Sequence, residues 1–339
     1  AREAIADSGL EDLEGLNRNR VGVIISAGIG GLHTFEEEAG YYALNQDKGP
    51  KYSPFFIPKM IADMAAGHVS MQYGYRGPNY ATVSACASST HALIDAFNLI
   101  RLGKADAIIT GGAEAAIFPA GVGGFNSMHA ISTRNDDPEH ASRPLSGSRD
   151  GFVMGEGGAC LVFEELEHAL ARGAHIYAEV AGGGLSADAY HLTATHPDGL
   201  GAKLVMSNAL EDAEMKPEDI DYINIHGTST PVGDISEVKA IQSVFGDHAY
   251  KLNISSTKSM TGHLLGATGA LEAMFCVKAV LEDIVPPTIK HEEGDYDPEI
   301  DYNMNFTFGE AQKRTVNAAL SNTFGFGGHN ASIIVKKYK

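Results

Sequence analysis

The chain has 339 residues, 44% apolar and 20% charged, with a net charge of −18 at neutral pH. That composition excludes a disordered chain, and the acidic balance argues against a general nucleic-acid binder; an acidic partner would need a local basic patch. No apolar run is long enough to span a bilayer, and the three cysteines (Cys86, Cys160, Cys276) cannot all pair, so the expectation is a soluble, cytoplasmic protein with no disulfide framework.

Ala1 to Leu10 has helical spacing without a cap, and the chain starts without Met, so it is expected to begin inside an element that further structure precedes. Arg20 to Ser26 reads as a buried strand, followed by Gly28-Ile29-Gly30-Gly31. A Gly-rich turn there suggests phosphate binding, but the dinucleotide spacing is incomplete, and close backbone packing explains the glycines as well. Ser53 to Ser70 is rich in Met and Phe and suits a core or a subunit interface.

Thr82 to His91 leads into an amphipathic run with Leu93, Ala96, Phe97 and Ile100 at helical spacing. Cys86 therefore stands at a helix N-terminus, where backbone N–H groups and the helix dipole favour a thiolate nucleophile. A small buried thiol is the other reading of the same residue. Ala107 to Glu114 is a short buried strand ending beyond two glycines. Pro119 to Gly151 reads as loop, Gly155 to Glu164 as strand and Glu165 to Arg172 as helix.

The second half repeats the alternation, with a strand from Ile176 to Gly182 and a helix from Gly199 to Glu214. A strand over Asp221–Ile225 then delivers His226-Gly227-Thr228-Ser229-Thr230-Pro231. Lys258-Ser259-Met260-Thr261-Gly262-His263 precedes an apolar helix from about Ala267 to Leu281. A strand over Thr315–Leu320 enters Asn322-Thr323-Phe324-Gly325-Phe326-Gly327-Gly328, and Ala331–Val335 is the last strand. The alternation is that of α/β layers, and the recurrence of strand, turn and helix hints at an internal duplication. A nucleophilic Cys with distant histidines is a catalytic arrangement that a fold assembles, although each histidine alone also suits a structural hydrogen bond.

Four stretches in order, Ala85-Cys86-Ala87-Ser88-Ser89 and the motifs at His226, Lys258–His263 and Asn322–Gly328, resemble the β-ketoacyl-acyl-carrier-protein synthases. Gly121-Val122-Gly123-Gly124-Phe125, Ser132-Thr133-Arg134-Asn135 and Asp188-Ala189-Tyr190-His191-Leu192-Thr193 resemble the class II, long-chain form more than class I.

The resemblance implies a thiolase fold of two similar α/β halves, 1–172 and 173–339, in five α-β-α-β-α layers with part of the N-terminal half missing, usually as a homodimer. It implies fatty-acid elongation with Cys86 as acyl acceptor, His226 and His263 acting on malonyl, and Lys258 and Glu272 orienting them. The backbone N–H groups of Cys86 and Phe326 would form the oxyanion hole. Thr228 and Thr230 would meet the substrate's phosphopantetheine arm, Phe152 and Phe326 would gate the acyl channel that Ile29 lines, and Thr193 and Phe324 would also bind substrate. Lys48, Lys51 and His129 would face the acyl carrier protein; His129 stands where an arginine is common, and His329 where a threonine is usual. No cofactor is required, although Asn224, Glu272, Ser321 and Asn322 resemble a site for Na+ or K+. Neither a nucleic acid nor a membrane is an expected partner. The alternatives are a class I synthase and a non-catalytic carrier-binding fragment. A thiolase would need a second Cys in the Phe326 loop, and a chain-length factor would lack Cys86.

Overall fold

A computed structural model describes all residues 1–339. The first half runs α1 (Arg2–Ser8), β1 (Val21–Ser26), α2 (Leu32–Leu44), α3 (Phe56–Met60), α4 (Met64–Tyr73), β2 (Asn79–Tyr80), α5 (Ser88–Arg101), β3 (Ala107–Glu114), α6 (Pro119–Ser127), β4 (Gly157–Glu164) and α7 (Leu166–Ala171). The second runs β5 (Glu179–Ala187), α8 (Leu200–Asp212), β6 (Tyr222–Asn224), α9 (Pro231–Phe245), β7 (Asn253–Ser255), α10 (Lys258–Thr261), α11 (Thr268–Glu282), β8 (Ile284–Val285), β9 (Gln312–Lys313), β10 (Ala318–Gly325) and β11 (His329–Lys336).

Every residue of β1 is buried. A strand covered on both faces must be apolar on both, and β1 is so built. Val21, Val23 and Ile25 pack beside Ile5, Leu10 and Ala66, while Ile24 packs beside Leu93, Ala96 and Ile333. The first sheet has the order β2-β1-β3-β4, parallel except for β4. The second has the order β5-β11-β10-β6-β7, in which β11 runs against both neighbours. The run β7-β6-β10-β11 repeats β2-β1-β3-β4, with a fifth strand, β5, on the outer edge of β11. Helices α5 and α11 lie between the sheets, touching both and each other, α1 and α4 cover the first sheet, and α8 covers the second with α9 beside it. This is the thiolase-type, five-layered α/β architecture. The largest cluster of buried side chains lies in the second half and includes Val205, Met206, Ile223, Val238, Ile241 and Leu320.

Several boundaries differ from the sequence expectation. The strand expected over Ile176–Gly182 is Glu179–Ala187, because the glycines at 182–184 extend it under α8. A side chain at Gly184 would overlap the Val205 carbonyl. The strand expected to stop at Leu320 continues through Asn322, Thr323 and Phe324 to Gly325, fully buried. Within the expected loop 119–151 lies helix α6, started by Pro119 at its first position, where a fixed φ and a missing N–H cost nothing. Ser53–Ser70 forms α3 and most of α4; Ala66 is buried, whereas Phe55, Ile57 and Ile61 are exposed on the single chain. Cys160 is only half-buried, while Cys276 is core. No helix is long and apolar enough to cross a membrane.

Candidate active site

The C-terminal ends of β1, β6 and β10 and the starts of α5 and α11 converge on Cys86. It sits in a 3₁₀ turn, Ala85–Ala87, directly before α5. Ala85 has φ 50°, a left-handed conformation that costs a non-glycine residue energy and is retained where the surroundings force it. Leu265–Ala267 before α11 is the same turn, with φ 50° at Leu265. The expected duplication thus extends to the turn that presents the thiol.

His263 Nε2 lies 3.0 Å from Cys86 Sγ, and its Nδ1 lies 3.0 Å from the Thr268 hydroxyl. The His226 ring stands edge-on to His263 with centroids 5.4 Å apart, and against Phe324 at 5.5 Å. Both histidines are buried. Burial first, and the nearby Lys258 ammonium second, hold both imidazoles well below the usual histidine range, so they are neutral at neutral pH. Lys258 is itself 1% exposed and donates to Glu272 Oε1 at 2.5 Å. Burial pushes the Glu272 carboxyl up, and the lysine pulls it back.

Cys86 departs from the expectation of a stabilised thiolate. Burial pushes its thiol up to about 12 and Glu114 adds to the rise. Lys258 and the backbone N–H groups of Phe326 and Cys86 oppose that shift without cancelling it. Desolvation exceeds the helix-terminus effect because the surrounding side chains enclose the sulfur. Those two N–H groups stabilise negative charge at the sulfur, although less than burial opposes it. Gly325 permits the close approach of β10 to this turn: a Cβ there would lie 2.6 Å from the Ser84 carbonyl oxygen.

The model of the β-ketoacyl synthase N-terminal domain matches residues 1–169, and that of the C-terminal domain matches residues 177–292. The chain belongs to the β-ketoacyl synthase family. A 3-oxoacyl-(acyl-carrier-protein) synthase 2 from Synechocystis sp. is 51% identical over 340 residues, covering 100% of this chain and 80% of the relative. One from Staphylococcus aureus is 50% identical with the same coverage. Among solved structures, a β-ketoacyl synthase from Burkholderia phymatum superposes with a TM-score of 0.91 at 36% identity, over 99% of this chain and 80% of that one. A type II polyketide ketosynthase in complex with its acyl-carrier protein gives 0.90 at 32%, over 99% and 82%.

In this synthase the other expected residues fall at different distances from the sulfur. Phe152 is buried edge-on to His263 at 5.3 Å, and Phe125 links it to Phe326. The Thr228 and Thr230 hydroxyls are 3.1 Å apart. Thr193 is exposed, its N–H donating to His191 Nδ1, while the neighbouring Leu192 carbonyl accepts from Gly327 in the Phe326 loop. Lys48, Lys51 and His129 are exposed and follow α2 and α6, two helices that pack together. The Gly28–Gly31 turn has no N–H groups spare for a phosphate: those of Gly28, Ile29 and Gly30 donate to Glu114. The four cation candidates are split. Asn224 and Ser321 are paired in register and share a face. The Asn224 amide donates to the Thr257 hydroxyl. The Asn322 side chain, one residue on, faces the other way and donates to Glu237.

Sequence reasoning missed Glu237, Thr268 and Asp234. The Glu237 carboxylate accepts the N–H groups of His226 and Gly227, and burial pushes it up to about 7. Asp234 accepts from Leu145 and Ser229 and pairs with the buried Arg149. The available signal was spacing: Asp234 and Glu237 share the helical stripe of Val238, Ile241 and Phe245, where an acidic residue needs a partner.

Proposed function

We propose that this chain performs the decarboxylative Claisen condensation that lengthens a fatty acyl chain by two carbons, in the class II manner of its curated relatives. The observation that carries the reading is the convergence of Cys86, His263 at 3.0 Å and His226 at one buried point.

The Cys86 sulfur attacks the carbonyl of an acyl-carrier thioester. The new C–S bond forms as the carrier's sulfur leaves, and the thiol proton ends on that sulfur. Because the resting thiol is neutral, the two oxyanion N–H groups do their work in the tetrahedral state and not in the resting enzyme. The Thr268 hydroxyl, 3.0 Å from His263 Nδ1, can donate to that nitrogen, and the mechanism needs it to, because the ring proton must then sit on Nε2, the nitrogen facing the reaction. Malonyl then binds, its carbon–carboxylate bond breaks and CO2 leaves. The enolate oxygen accepts N–H from the two neutral histidines, and its carbon attacks the acyl-Cys86 carbonyl. The Cys86 thiolate departs and takes a proton from solvent. Lys258 and Glu272 act as positioning residues: the lysine charge adds to burial in keeping both rings neutral and therefore donors on one nitrogen only.

Thr228 and Thr230 are assigned to the pantetheine arm, Ile29, Phe152 and Phe326 to the acyl channel, and Thr193 and Phe324 to substrate binding. The carrier protein docks at Lys48, Lys51 and His129. The exposed Phe55, Ile57 and Ile61 suit burial in a homodimer of two-half protomers, 1–172 and 173–339. The cytoplasm is the assigned compartment. No organic cofactor is needed for this chemistry. Ser321 Oγ and Glu272 Oε2 are buried oxygens without a partner, which fits a monovalent cation held by Asn224, Ser321 and Glu272; it would offset negative charge beside Lys258.

Incubation with a long-chain acyl-carrier thioester followed by intact-mass measurement tests the reading. One acyl group on Cys86, released as product when malonyl-carrier is added, is expected. An unmodified enzyme that still binds the carrier would assign the chain to the non-catalytic alternative.

A further inference from the structure

Glu114 ends β3, is buried, and takes part in none of the steps above. Its Oε2 accepts from Gly28 N–H at 2.6 Å, Gly266 N–H at 3.1 Å and Ile29 N–H at 3.3 Å. Its Oε1 accepts from the N–H groups of Ile29 and Gly30, both at 3.2 Å. A carboxylate held by backbone N–H groups alone is an internal anion in a nest, well stabilised and fixed in place. Three turns meet on it. A Cβ at Gly28 would lie 2.9 Å from Glu114 Oε2, 3.0 Å from the Ala85 carbonyl oxygen and 3.2 Å from the Gly266 nitrogen, and one at Gly266 would overlap the Gly28 nitrogen. Gly266 holds, in the turn before α11, the place that Cys86 holds before α5. Its N–H is thus the counterpart of an oxyanion donor, and Glu114 occupies it.

We propose that Glu114 is a positioning residue that locks the Gly28–Gly30 wall, with Ile29 on it, to the turn following His263 and against the nucleophile turn. The wall then sets which acyl lengths Cys86 accepts while His263 keeps its place. This rests on the condensing reading given above. Loss of the lock lets the wall shift, which a long acyl chain senses and a short one does not.

Glu114→Gln and Glu114→Asp are compared with the wild type in two measurements. Amide hydrogen exchange is followed in peptides spanning residues 27–31 and 264–268. The parameters kcat and KM are measured for hexanoyl- and myristoyl-carrier thioesters. A glutamine cannot accept from every N–H, because its NH2 faces donors. Exchange is expected to rise in both segments together. For the myristoyl thioester kcat/KM should fall about tenfold, and for the hexanoyl thioester less than about threefold. Glu114→Asp should recover part of both effects, and it supplies the same readouts if Glu114→Gln does not fold. Unchanged exchange in either segment overturns the lock. Raised exchange with equal losses for the two thioesters overturns the role in selectivity. If the wild type yields no product, the condensing reading falls while the exchange arm still decides the lock.

Discussion

The chemistry at Cys86 divides between two sets of groups, and single residues separate them. Cys86→Gln removes the acyl acceptor but leaves both histidines, so condensation should vanish while malonyl decarboxylation persists. His263→Ala should lower decarboxylation about 10²-fold or more, because one of the two donors to the enolate oxygen is gone. Release of CO2 from malonyl-carrier by the two variants is the measurement; normal decarboxylation by His263→Ala would remove it from the mechanism. The thiol itself gives a pH test. With the folded group raised to about 12, the thiolate fraction climbs throughout the working range. Iodoacetamide labelling of Cys86, followed by peptide mapping, should rise about tenfold per pH unit from pH 7 to 10. A plateau below pH 8 would mean that the helix terminus and the Lys258 charge outweigh burial after all.

At the scale of elements, the site depends on helices brought close to sheets by glycine. Strand β5 lies against α8 at Gly182 and Gly184, where an added Cβ would meet the backbone of Ala213 or overlap that of Val205. Backbone atoms cannot swing aside as a side chain can. Gly184→Ala should therefore destabilise the protein by about 1–3 kcal/mol, read as a lower midpoint in urea. Gly123→Ala, with open space around its Cβ, is the control and should not lower the midpoint. The glycines at 28 and 266 serve the same end around Cys86: two turns and a carboxylate share a space that side chains would fill.

At the scale of the whole molecule, the proposed carrier-protein partner would dock against the chain's own field. A net charge of −18 repels an acidic carrier protein on average, so docking needs a local exception. Lys48 and Lys51 are exposed on the loop after α2; Lys48 is held only by Asn45 at 2.7 Å. Reversing both to Glu should raise KM for the acyl-carrier thioester and leave kcat, and turnover of a small pantetheine thioester, unchanged. The effect should shrink as salt rises, since exposed charges are screened over about 10 Å at 0.1 M. An unchanged KM at low ionic strength would move docking to other residues.

The alternation of apolar runs and glycine turns was legible in the chain from Val21 onward because central strands such as β1 are covered on both faces, which makes them apolar on both. The order of motifs at Cys86, His226, His263 and Phe326 marked the candidate site through its resemblance to the β-ketoacyl synthases; the residues alone left each histidine equally suited to a structural hydrogen bond. Other features are properties of distance and burial that no spacing encodes. Whether Cys86 rests as thiol or thiolate depends on how much water reaches the sulfur. Whether Asn322 can join Asn224 and Ser321 depends on which face of β10 it takes. Glu114 gives the plainest case. In the sequence it is one acid after a short strand, 86 residues from Gly28 and 152 from Gly266, and only the folded chain brings their N–H groups to its two oxygens.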